Sequence, residues 1–155
     1  MKIAFITDSE QQLYIFPELI EALSSEIKDL EPKEFFVPTA LDIPAKCLEA
    51  LECDLIFVQQ LFEKEDLKLQ VLMQKLVDFE LEHKVKVVKA IEPSELEDAL
   101  TEEDFAAVKA EFAEKWSQVI LGVLFDQEAF KPSMEVEEEA EDESMEGEEQ
   151  EESEE

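Results

Sequence analysis

Apolar residues along this chain follow two rhythms that alternate from one end to the other. Lys2 to Thr7 (KIAFIT) is a short apolar run closed by Asp8-Ser9, the form of a buried strand entering a turn. Leu13, Phe16, Ile20, Leu23, Ile27 and Leu30 then recur three or four apart, which predicts a helix with Pro17 in its first turn. Phe35 to Val37 predicts a second strand, and Asp42-Ile43-Pro44 a second helix, capped by Asp42 and ending near Glu52. Cys53 to Gln59 (CDLIFVQ) predicts a third strand. From Glu65 to Leu81 the spacing predicts a third helix; its apolar residues, Leu67, Leu69, Val71, Leu72, Met73, Leu76, Val77 and Phe79, cover more than one face and call for two packing partners. Val85 to Ile91 (VKVVKAI) is the expected fourth strand, followed by a short helix from Ser94 to Leu100. Thr101-Glu102-Glu103-Asp104 then caps a last helix, with Phe105, Val108, Phe112, Trp116, Val119 or Ile120, and Val123 at helical spacing.

Strands alternating with helices imply an α/β fold of three layers, α/β/α, around a four-stranded parallel sheet, expected over residues 1–134. In such a sheet ligands bind beyond the carboxyl ends of the strands, at the point where the strand order reverses. The expected ends are Thr7 to Ser9, Pro38 to Asp42, Gln59 to Glu63 and Ile91 to Ser94.

Charge narrows the partners. The chain has 43 acids against 13 bases, and residues 135–155 alone hold 14 of the acids. The remaining 29 acids against 13 bases leave the body near −16, which repels phosphate backbones and anionic membrane surfaces, so nucleic acid and membrane are not expected as partners. Residues 135–155 lack the apolar side chains that offset ordering entropy and are expected to be a disordered acidic tail, either solvating or an arm for a basic protein partner.

All thirteen bases are lysines, so no guanidinium fork is present for bidentate anion recognition. With Gly122 and Gly147 as the only glycines, the dinucleotide-binding fingerprint and the P-loop are both excluded. Cys47 and Cys53, with no third cysteine and no histidine nearby, are too few for zinc and read as reduced, buried thiols; neither metal nor cofactor is expected. No apolar run approaches membrane-spanning length and no basic leader precedes the first strand, so a cytoplasmic protein is expected.

Val37-Pro38-Thr39-Ala40-Leu41-Asp42-Ile43-Pro44, followed by Cys47, Leu51 and Cys53-Asp54-Leu55-Ile56, resembles the second strand, substrate loop, helix and third strand of the lumazine synthase superfamily, closest to its archaeal riboflavin synthase branch. The likeness continues through Lys84 to Ile91 and Lys109 to Phe125 and covers most of residues 1–134. The resemblance implies a flavodoxin-like, lumazine-synthase-like fold and a homo-oligomer, a pentamer, with sites between subunits. It also implies a small-molecule ligand, a ribityl-pyrimidine or a lumazine, and chemistry that needs no redox cofactor. Carried onto this chain, Thr39, Ala40, Leu41 and Asp42 would hold the pyrimidine and ribityl chain, with Asp8 and Ser9 approaching from the first strand and Gln59 and Gln60 orienting substrate by hydrogen bonds. Phe62 is a candidate stacking surface or a packing residue, and Lys64 and Lys68 are candidate phosphate contacts beside the acids Glu63, Glu65 and Asp66. The family's glycine-rich loop, arginine and proton-transferring histidine have no counterpart between Gln59 and Gln70, and His83, the only histidine, precedes the fourth strand. No catalytic residue is therefore designated.

The resemblance implies one of two functions: a riboflavin-pathway transferase that dismutates lumazine to riboflavin, or a non-catalytic oligomeric binding or assembly protein on the same fold. A third, a receiver-like signalling module built on Asp8 and Asp54, is disfavoured because Asp54 begins its strand rather than ending it.

Overall fold

The computed structural model describes residues 1–9, 13–94 and 101–125; the acidic segment 135–155, the end of the expected domain at 134 and most of the helix expected at 94–100 lie outside them. Residues 1–121 form one compact unit, and 122 onward a second, of which only the helical residues 122–125 are described.

Four strands, β1 (Lys2–Asp8), β2 (Glu31–Val37), β3 (Leu55–Phe62) and β4 (Lys86–Pro93), form a sheet in the order β2-β1-β3-β4, every pair parallel. Between them run α1 (Phe16–Ser24), a 3-10 turn (Ala40–Asp42), α2 (Ile43–Leu48) and α3 (Leu67–His83), and α4 (Glu102–Phe125) follows β4. The fold is the expected three-layer α/β/α arrangement of flavodoxin-like type. Strand position explains the composition of each run. The inner strands β1 and β3 are buried from Ile3 to Asp8 and from Leu55 to Gln59, apolar up to Ile6 and Val58 and polar at their carboxyl ends; the edge strands β2 and β4 mix exposed and buried positions.

Alternation along the inner strands divides the core between the two faces of the sheet. Ala4, Ile6, Ile56, Val58 and Val87 pack with Ile43 and Cys47 of α2 and Leu72, Leu76 and Phe79 of α3. On the opposite face the rings of Phe5 and Phe57 meet Phe16 of α1 at 5.5 and 6.3 Å, and Phe57 meets Trp116 of α4 at 6.0 Å. Each buried aliphatic or aromatic side chain here removes about 1.5–3 kcal/mol of apolar hydration.

Element ends differ from the sequence expectation for local reasons. The first apolar stripe runs on to Leu30, yet α1 stops at Ser24, because the Ser25 hydroxyl donates to the Ala22 carbonyl at 2.7 Å and Asp29 turns the chain through φ 59 into β2. Ile27 is still buried, carried there by the turn rather than by the helix. After Leu48, α2 gives way to tight turns in which Glu49 and Ala50 donate to Lys46 and Cys47, both at 3.0 Å. β3 begins at Leu55 and continues past Gln59 because β4 pairs with Gln60, Leu61 and Phe62. β2 takes in Glu31–Glu34 as well, an acidic and proline-bearing edge stretch that pairs only with β1. Thr101 caps α4 as expected, its Oγ1 accepting from the Asp104 amide at 3.0 Å.

Candidate functional site

The chain leaves β1 for β2 on one side and returns to β3 on the other, so the strand order reverses between β1 and β3. The carboxyl ends of those strands hold an unusual concentration of buried polar side chains. Thr7, Asp8 and Gln59 are 3%, 3% and 0% exposed, in a sheet otherwise filled by apolar groups.

Their hydrogen bonds are incomplete. Thr7 Oγ1 donates to the Gln59 carbonyl at 2.9 Å, Gln59 Nε2 donates to the Leu13 carbonyl at 2.6 Å, and Gln60 Nε2 donates to Asp8 Oδ2 at 3.4 Å. Both glutamine amides are oriented by partners that only accept, which fixes their oxygens as the free ends. Among the described residues nothing donates to Asp8 Oδ1, Gln59 Oε1 or Gln60 Oε1. Buried polar atoms are normally paired, so these acceptors, free among the described residues, mark this sheet end as the candidate site.

Two cavities open here. The first, of about 320 Å³, lies where β3 runs into α3 and is lined by Ala40, Gln60, Phe62, Lys64 and Lys68 among others. Asp66 caps α3 above it, accepting from the Leu69 amide at 2.9 Å, and Lys64 and Lys68 are exposed and in no described ion pair. The second cavity, about 280 Å³, is lined by Thr7, Asp8, Ser9, Leu13, Tyr14 and Phe36. The Gln60–Asp8 hydrogen bond joins a lining residue of each. A third and larger cavity, about 380 Å³, lies between α4 and the carboxyl ends of β3 and β4, where Leu61, Glu92 and Pro93 fall in the expected strand ends, but it contains none of the individually designated site residues; its Lys115 is paired with Glu92.

The designated residues therefore divide. Ala40, Gln60, Phe62, Lys64 and Lys68 meet in the first cavity, and Asp8 and Ser9 in the second. Asp42 does not cap α2: it is exposed and makes no cap bond there, and its Oδ2 instead accepts from the Thr39 amide and Thr39 Oγ1, both at 3.1 Å. It closes the 3-10 turn as one half of a capping box. Thr39 is used up in the same turn, Leu41 is 48% exposed beside it, and neither lines either cavity. Gln59 is wholly buried and held by Leu13, so it supports the wall behind the site.

Tyr14 and Phe36 were not designated from sequence, although Phe36 stands one residue from the carboxyl end of β2, where the rule of strand ends would have found it. Their rings lie 5.8 Å apart, and Tyr14 donates to Glu34 at 2.5 Å. Burial, and then the Glu34 contact, push the Tyr14 phenol up to about 12. His83 ends α3, against the Phe79 ring at 4.7 Å and just before β4 begins, and so stands at the amino ends of the strands. Asp54 is there too, tying the start of β1 by accepting from the Lys2 amide at 2.8 Å, about 20 Å along the strand from Asp8. Asp8 and Asp54 therefore do not form an acid pair.

Among the described residues no group of three or more His, Cys, Asp or Glu is placed to hold a metal ion, and no helix is long and apolar enough to cross a membrane. No family model matches this sequence, and no curated protein matches it significantly.

Proposed function

We propose that this chain is a small-molecule binding protein whose first cavity receives a ribityl-pyrimidine or lumazine, without turnover. The observation that carries the reading is the convergence of Gln60, Phe62, Lys64 and Lys68 on one cavity at the carboxyl end of β3. A ribityl chain is rich in hydroxyl donors, which suit the free Gln60 Oε1, and Phe62 offers a face to a flat heterocycle; Lys64 and Lys68 are balanced by Glu63 and Asp66 in the same lining, which suits a neutral, hydroxyl-rich ligand. The resemblance of the Val37–Pro44 stretch to the lumazine synthase superfamily points to the same ligand class. Proton transfer is the missing function, because His83 stands at the other end of the sheet.

The same proposal includes a homo-oligomer, with the pentamer as the expected form. α3 buries Leu69, Leu72, Leu76 and Phe79 against the sheet but leaves Leu67 and Leu81 each 73% exposed, with Val71, Met73 and Val77 near 40%. The sheet, α2 and the 3-10 turn cover one side of this helix, and among the described residues nothing covers the other. A second copy of the chain is the proposed cover.

Incubating the purified protein with 6,7-dimethyl-8-ribityllumazine, while following ligand fluorescence and riboflavin formation, tests the function. Binding with no riboflavin is the expected result. Riboflavin formation would establish the transferase reading instead, and absence of both would reject a flavin-pathway ligand.

A further inference from the structure

The second cavity has a different chemistry from the first. Its lining includes Asp8, a carboxylate 3% exposed whose single described partner is the neutral Gln60 amide at 3.4 Å. Taking a carboxylate out of water without a counter-charge is expensive, and none of the described ion pairs brings a lysine to it. The acids nearest the Tyr14 side of the cavity are Glu34 and Glu18. Glu34 holds the Tyr14 hydroxyl, and Glu18 lies in the first turn of α1, its partner Lys109 at 3.4 Å. On the open side stand two aromatic rings, Tyr14 and Phe36, 39% and 53% exposed and inclined at 59° to one another. An acid in the lining, acids around it and aromatic faces at its wall disfavour phosphate or carboxylate and favour positive charge.

We propose that this cavity binds a compact organic cation, an ammonium group on an apolar or aromatic body, with Asp8 as its counter-ion and Tyr14 and Phe36 as its aromatic walls. The hydroxyl of Tyr14 is committed to Glu34, so the ring face is what the tyrosine offers a ligand. The ammonium supplies donors that Asp8 Oδ1 lacks. At about 280 Å³ the space suits a molecule of one ring or a short branched chain. The assignment does not depend on the ribityl ligand, since Asp8 and the aromatic pair lie outside the first cavity.

Phenethylammonium and its neutral counterpart 2-phenylethanol are the probes, titrated by calorimetry and by NMR into the full chain at neutral pH. The ammonium should bind about tenfold or more tightly than the alcohol, and Asp8→Asn should erase that preference. Phe36→Leu, at a position 53% exposed, should weaken the ammonium about threefold while leaving lumazine binding unchanged. Equal affinities for the two probes, no binding of the ammonium, or an unaltered preference in Asp8→Asn would overturn the proposal. Loss of lumazine binding alone would bear on the first cavity and not on this one.

Discussion

At the scale of single residues, Asp42 illustrates how far local chemistry can be read ahead of the structure. An acid two residues before a proline is a capping signal, and Asp42 does cap, but backward to Thr39 rather than forward into α2. The direction depends on the turn that sets Ala40 into the core, a tertiary contact with no local signature. Asp42→Ala should therefore lower stability by about 1 kcal/mol in urea unfolding and leave lumazine affinity intact; an affinity loss would return Asp42 to the ligand. Cys47 provides a second residue-scale test. Burial pushes its thiol from 9.0 up to about 12. Between those values the unfolded chain has released the proton and the folded chain has kept it, so stability falls as pH rises, by up to about 1.4 kcal/mol per unit. Cys47→Ala should flatten the decline in stability between pH 9 and 11; an unchanged slope would contradict the assignment.

At the scale of elements, periodicity located every strand and α-helix of the described region but not their ends, and it did not show the 3-10 turn. Helical spacing marks which side chains share a stripe, and Ile27 obeys it from a turn, so the pattern overran α1. The β3 extension was hidden for the opposite reason: Gln60 is polar and partly exposed, and only pairing with Ile91 of β4 keeps it extended. The aromatic wall of the second cavity was missed because Tyr14 and Phe36 are 22 residues apart and meet only through the sheet. α3 separates the two roles of an apolar residue. Leu72→Ala, at a fully buried position, should cost about 2–5 kcal/mol in unfolding. Leu81→Ala, at a position 73% exposed, should cost under about 0.5 kcal/mol within one chain and act on assembly instead. Equal losses would mean that α3 has no free face.

At the scale of the whole molecule, charge opposes the association proposed for α3. Copies that each carry −30 repel, and salt screens that repulsion, so light scattering should show assembly growing with ionic strength. A monomer from low to high salt would exclude a shared site, and an assembly size unchanged by deletion of 135–155 would exclude a limiting role for that segment. The placement of ligand chemistry at the carboxyl ends of β1 and β3 remains the central claim, and NMR can address it at the side chains themselves. On titration with 6,7-dimethyl-8-ribityllumazine, the Gln60 side-chain amide and the backbone amides of Ala40 and Phe62 should shift together and saturate at one affinity. Shifts confined to the α4 cavity around Phe112, or to the amino ends of the strands near Asp54 and His83, would contradict it.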